Sequence, residues 1–254
     1  MKWRHSSMKL GVSAIGWEAE DHAEIVLHLP DGIELLEAVP FKRHSRFSGY
    51  LQKYSAQSLF YGMDIDAFWD EQALDSCLAN LVAMAHEYGW KRMVLGSPGL
   101  RKGDRRYLMD ALARVNDALA TLDCTVCIEP VAKPYGGEYF FTVEEIVQSL
   151  AEYSLSHTAT MIDTNSVWLE SQWPEDVLVQ YFPYIKHVHI SDQNIGPIVS
   201  QEKHERFAEA LRNAEYEGAV IRELLKAKNY PGEYHYFAHL YRPSNSSRTF
   251  SSIK

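Results

Sequence analysis

Eight short apolar runs alternate with helical segments along the chain, and this alternation limits the possible folds more than any other feature. The runs cover residues 10–15, 33–39, 56–61, 92–95, 125–128, 159–162, 185–190 and 218–221. Between them, Leu74, Cys77, Leu78, Leu81, Val82, Ala85 and Tyr88 recur at helical spacing, as do Leu108, Ala111, Leu112, Val115, Ala118, Leu119 and Leu122; each set forms one apolar stripe. Thr142 followed by Glu145 is a capping box opening a third helix, and residues 202–213 form a fourth with Phe207, Ala210, Leu211 and Ala214 on one side.

Strands that alternate with helices, with no Gly/Ser-rich linker between them, imply βα units around a parallel sheet buried on both faces. Eight units in 254 residues is the count for an α/β fold of the closed (β/α)8 TIM-barrel type, which fills about 250 residues as one domain. A doubly wound sheet would show a dinucleotide fingerprint. The glycine cluster Gly96, Ser97, Pro98, Gly99 matches neither that pattern nor a P-loop. The expectation is a single domain over 1–254, with 1–8 as an N-terminal extension. Residues 225–254 are rich in Tyr, Ser and Pro, so a barrel lacking a regular eighth helix is expected, its open flank covered by an irregular tail or by a second subunit in a homo-oligomer.

The formal charge of -9, from 25 Lys+Arg against 34 Asp+Glu, has the wrong sign for coating nucleic-acid phosphates. No nucleic-acid partner is expected. No stretch reaches the roughly 20 apolar residues needed to cross a bilayer, and residues 1–7 lack a signal-peptide core; no membrane association and a cytoplasmic location are expected. Three cysteines make no disulfide framework. Cys124 and Cys127 sit three apart in an apolar strand, where side chains face opposite ways and cannot easily share a metal or close a bridge.

Acidic and imidazole residues fall at strand ends. Glu129 closes the fifth strand, Asp163 the sixth and Glu223 the eighth, while His189 lies late in the seventh. Any one of them alone reads as a helix cap or a solvated loop residue. Four successive strands ending this way converge at the C-terminal mouth of a barrel, where active sites lie. Three carboxylates and an imidazole suit one divalent ion, Mn2+, Mg2+ or Co2+. His187 shares a strand face with His189, and one of the two is expected to be packing.

Several motifs now resemble a known family. They are residues 57–62 beginning Gln57-Ser58-Leu59, then Gly96-Ser97-Pro98 with Arg101, Ile128-Glu129-Pro130 followed by Tyr135-Gly136 and Thr142, Asp163-Thr164, His187 to Asp192, His204 with Leu211, and Tyr216-Glu217-Gly218 leading to Glu223. In order and spacing the chain, from about Leu10 to Leu224, resembles the xylose isomerase-like TIM-barrel family, and in particular its sugar phosphate isomerase/epimerase-like branch. The resemblance implies a metal-dependent isomerase or epimerase of a sugar or sugar phosphate, with Glu129, Asp163, His189 and Glu223 holding one divalent ion, Mn2+, Mg2+, Co2+ or Zn2+. It further implies that Glu129 and Glu223 act as catalytic acid and base, taking a proton from a substrate carbon and returning it through an enediolate.

Ketose epimerases of the family carry a histidine three residues after the strand-six Asp and an arginine soon after the strand-seven His. Here Ser166 and the segment from Ser191 to Pro197 stand in those places. Asn165, Ser191, Asp192 and His204 are the polar substitutes available for substrate binding, and His204 reads equally as a surface histidine. Gln57 joins them through its motif. Lys42, Arg43, His44 and Arg46 form one basic cluster and Arg101, Lys102, Arg105 and Arg106 another; either would receive a substrate anion or simply be a charged loop, with Arg101 the leading candidate. Trp17 is a sugar-stacking wall or a plug at the barrel end. Two alternatives remain at this level. One is a metal-dependent dehydratase, lyase or hydrolase on the same scaffold; the other is a catalytically lapsed sugar-binding barrel.

Overall fold

The computed structural model describes residues 8–18, 21–39, 55–59 and 71–242, with only the backbone described at 55–59 and 71. Eight strands appear: β1 (Lys9–Ser13), β2 (Ile33–Ala38), β3 (Ser55–Leu59), β4 (Arg92–Leu95), β5 (Thr125–Ile128), β6 (Thr158–Asp163), β7 (Ile185–Ile190) and β8 (Ala219–Arg222). Each pairs in parallel with the next, and β8 returns to β1, so the sheet closes into a barrel. Every residue of β6 and β8 is buried, as expected for strands covered by helices outside and by side chains within.

The described helices are α1 (His22–Leu27), α2 (Glu71–Tyr88), α3 (Arg105–Leu119), α4 (Val143–Tyr153), α5 (Thr164–Leu169), α6 (Pro174–Tyr181), α7 (Gln201–Asn213) and α8 (Tyr230–Tyr241). The stripe of α3, with Leu108, Leu112, Val115 and Leu119 buried, meets the outer face of the sheet in the main core. At α4 the Thr142 hydroxyl accepts the Glu145 N–H (3.3 Å), while the Glu145 carboxylate accepts the N–H of Phe141, one residue before the cap (2.9 Å). No helix among the described residues is long and apolar enough to cross a membrane.

α8 corrects the expectation of an irregular tail. Asn229 caps it by accepting the Gly232 N–H (3.0 Å), Pro231 occupies its first turn, and Tyr234, Phe237, Ala238 and Tyr241 are buried. That i, i+3, i+4, i+7 spacing outweighs the weak helix propensity of Tyr and Phe. The helix packs on β1 and α7 and itself covers the flank assigned to a tail or a second subunit. Residues 1–7 and 243–254 of the expected extension and tail lie outside the described residues, as do Lys42, Arg43, His44 and Arg46.

Two small clusters fill the barrel interior apart from the main core: Val39, Val94, Cys127 and Met161, and Leu35, Ala219 and Ile221. Cys124 instead belongs to the outer core, so the two cysteines do face opposite ways; both are free thiols. Side chains of a strand alternate, so the residue two beyond each interior one also points inward, one layer nearer the mouth. That places Gly96, Glu129, Asp163 and Glu223 directly above Val94, Cys127, Met161 and Ile221. Register sets His189 beside Asp163 and Ile221.

Candidate active site

Glu129, Asp163, His189 and Glu223 each offer one ligand atom, and these atoms lie within 4.8 Å of one another. His189 Nδ1 is 3.0 Å from Glu129 Oε1 and 3.6 Å from Glu223 Oε2. Asp163, the residue before α5, accepts the Ser166 N–H at Oδ1 (2.6 Å) and the Ser191 hydroxyl at Oδ2; it is both a helix cap and a member of the cluster. The Glu129 side chain is 13% exposed against 7% for Glu223 and none for His189, so solvent reaches the cluster mainly past Glu129. Gly96, at the end of β4, makes room for it, because a Cβ there would overlap the Glu129 carboxylate.

Burial, reinforced by the Glu129 charge, pushes Asp163 up to about 6. Burial raises Glu223 well above the carboxylate range; the His189 charge opposes this and the charges of Glu129 and Asp163 add to it. His189 is raised too, for a different reason: burial opposes its charge, but Glu37, Glu223 and Glu129 hold it well above the imidazole range. Three carboxylates crowded out of water are stable as anions only beside positive charge. All-oxygen and imidazole donors at these separations fit one hard or borderline divalent cation.

Beneath the cluster lies Glu37 of β2, an acid that the sequence reading passed over. It is fully buried, and burial alone would raise its pKa. The His189 charge and hydrogen bonds from His187 and His189 reverse that and hold it down at about 2. Its visible signal was phase: of the two acids in the run 33–39, Glu37 and not Glu34 alternates with Leu35 and Val39.

The residues expected to bind substrate divide. Asn165 stands two residues beyond Asp163, and its amide donates to the Tyr135 hydroxyl (2.5 Å); Tyr135, 37% exposed, adds a phenol at the opening. Gln57 lies in β3 with its Cα in register with Glu37, and its side chain is outside the described set. The other four have partners within the framework. Arg101 is 1% exposed and donates to the carbonyls of Leu95 (3.0 Å) and Phe140 (3.2 Å), so its guanidinium ties the end of β4 to the segment before α4. Asp192 accepts the N–H groups of Gln193 (2.7 Å), Val199 and Ser200 (both 2.9 Å). His204 is fully buried, 3.4 Å from Asp192 and 2.7 Å from the Tyr241 hydroxyl. Trp17 is also buried, and its indole N–H donates to the Tyr234 hydroxyl (2.7 Å). In the second basic cluster, Arg105 pairs with Glu152 and Arg106 with Asp104.

The model of the xylose isomerase-like TIM barrel family matches residues 31–237. A D-psicose 3-epimerase of Enterocloster bolteae is 26% identical over 124 residues, 48% of this chain and 41% of that protein. The matched region thus spans less than half the length of this curated relative. Among solved structures, 3-keto-D-glucoside 4-epimerase from E. coli superposes with a TM-score of 0.70 at 18% identity, covering 92% of this chain and 98% of that one. The D-psicose 3-epimerase of Clostridium cellulolyticum H10, solved with D-tagatose, gives 0.67 at 15% identity, covering 90% and 89%. Identities this low establish a shared fold.

Proposed function

The chain belongs to the xylose isomerase-like TIM barrel family, and we propose that it is a divalent-metal-dependent sugar isomerase or epimerase whose acid and base are Glu129 and Glu223. The observation that carries this reading is the convergence of Glu129, Asp163, His189 and Glu223 at the C-terminal mouth, with all four donor atoms within 4.8 Å. These four would hold the ion. When bound, it would draw electron density from a substrate oxygen and so acidify the neighbouring C–H.

The protein's own groups do the rest. Glu129 and Glu223 come from different strands and both reach His189 Nδ1, at 3.0 and 3.6 Å, which suits removal of a proton by one carboxylate and its return by the other. Asp163, fixed by Ser166 and Ser191, and His189 orient the cluster. Asn165 and Tyr135 supply an amide and a phenol at the opening for sugar hydroxyls. Burial of the cluster keeps competing water away.

The test is deuterium uptake from D2O into a panel of free and phosphorylated sugars with added Mn2+, read by mass spectrometry. One non-exchangeable deuterium per turnover in at least one sugar is expected. No uptake across the panel with any of Mn2+, Mg2+, Co2+ or Zn2+ overturns the reading, and loss of water from a sugar that exchanges would replace it with a dehydratase.

A further inference from the structure

The pair of histidines on β7 shares one carboxylate from the far side of the barrel. His187 Nε2 is 3.0 Å from Glu37 Oε2, and His189 Nε2 is 3.1 and 3.2 Å from the two Glu37 oxygens. β2 and β7 are not neighbours, since β8 and β1 lie between them. The Glu37 side chain therefore crosses the interior to reach both rings, and all three residues are fully buried.

We propose that Glu37 is the positioning residue of the site, fixing His189 so that Nδ1, and not Nε2, faces the metal cluster. This rests on the metal-dependent reading above. An ionised carboxylate only accepts hydrogen bonds, so each imidazole nitrogen turned toward it carries the hydrogen. His189 is thereby committed to hydrogen on Nε2; Nδ1, turned to Glu129 and Glu223, also carries a hydrogen, which a bound ion would displace. Metal-ligating histidines characteristically donate their second N–H to such a carboxylate, which sets ring orientation and strengthens the ligand. His187, one layer deeper, holds Glu37 Oε2, while its own Nδ1 has no hydrogen-bond partner among the described residues. Its ring packs edge-on against His189, with centroids 5.0 Å apart. The His-x-His motif thus has two jobs: His189 presents a ligand atom, and His187 keeps Glu37 in place beneath it.

The full chain, stripped of metal and titrated with Mn2+ by calorimetry, should bind one ion. Glu37→Gln should bind it about 10–100-fold more weakly, the usual effect of losing such a partner. Equal affinity of variant and wild type overturns the proposal. So does binding of two ions to the wild type with one lost in the variant, because Glu37 would then be a ligand itself. The wild type supplies an independent readout should Glu37→Gln fail to fold: 15N NMR of the histidines should show His189 protonated on Nε2 both without metal and with Zn2+. A bare Nε2 overturns the proposal in either state. A wild type that binds no ion but keeps the Nε2 proton would sink the metal reading and leave the Glu37–His189 pairing standing.

Discussion

The Glu129 carboxylate fills the space that a side chain on Gly96 would need: a Cβ at that position would overlap Oε2. β4 is followed by a residue with no side chain, which leaves room for the acid after β5 at the mouth. Gly96→Ala should therefore leave the fold intact, because the atom in the way is the far end of a flexible side chain, and should displace the carboxylate. A shift of about 1 Å in a reacting group costs roughly 100-fold in rate. Circular dichroism should match wild type while deuterium exchange at saturating Mn2+ falls by that order. Wild-type exchange in a folded Gly96→Ala would show that Glu129 need not sit where it does.

Glu129→Gln and Glu223→Gln preserve shape and remove the proton acceptor. General acid or base catalysis contributes about 100- to 10,000-fold, and each variant should lose at least that much solvent exchange at ion concentrations that saturate it. Exchange at the wild-type rate in either one would remove that glutamate from the chemistry.

How much of this was legible in the sequence follows from which signals were periodic. The strands appear within a few residues of the apolar runs because β-branched residues bounded by turns leave little alternative. The strand-end acids were legible for the same reason: alternation places Glu129, Asp163 and Glu223 two residues above interior side chains. α8 was missed because Tyr and Pro read as irregular. Its signals were present in Asn229 before Pro231 and in the stripe Tyr234, Phe237, Ala238, Tyr241. That Arg101, Asp192, His204 and Trp17 are already held by backbone groups or buried partners was not legible, because sequence shows which residues are polar and not what claims them. Glu37 was invisible for a further reason. It is tied to residues 150 and 152 positions away, on a strand it does not pair with.

Asp163 gives a pH-dependent prediction whose sign runs against the usual one for an acid. Burial and the Glu129 charge raise it from 3.8 to about 6 in the folded protein. Between those values the folded chain holds a proton that the unfolded chain has released. In the metal-free protein the Asp163 contribution to stability is therefore lost as pH rises from about 4 through about 6, at a cost on the order of 3 kcal/mol at pH 7. Metal-free Asp163→Asn should melt higher than wild type at pH 7, and Mn2+ should no longer raise its melting temperature. A metal-free variant that melts below wild type at pH 7 would show that the buried carboxylate is not strained.

Trp17 and Tyr234 decide between a wall for the sugar and a lock for the last helix. The indole N–H donates to the Tyr234 hydroxyl at 2.7 Å, both side chains are buried, and the bond ties the loop after β1 to α8. Tyr234→Phe removes the acceptor and leaves a buried N–H unpaired, which costs about 1–3 kcal/mol. At roughly 2–4 °C per kcal/mol for a chain approaching this size, the melting temperature should fall by several degrees, while KM and kcat for the substrate found in the exchange screen stay near wild type. Trp17→Phe should behave alike, since it breaks the same bond from the other side and keeps an aromatic ring. A rise in KM without loss of stability in Trp17→Phe would instead place the indole against the sugar.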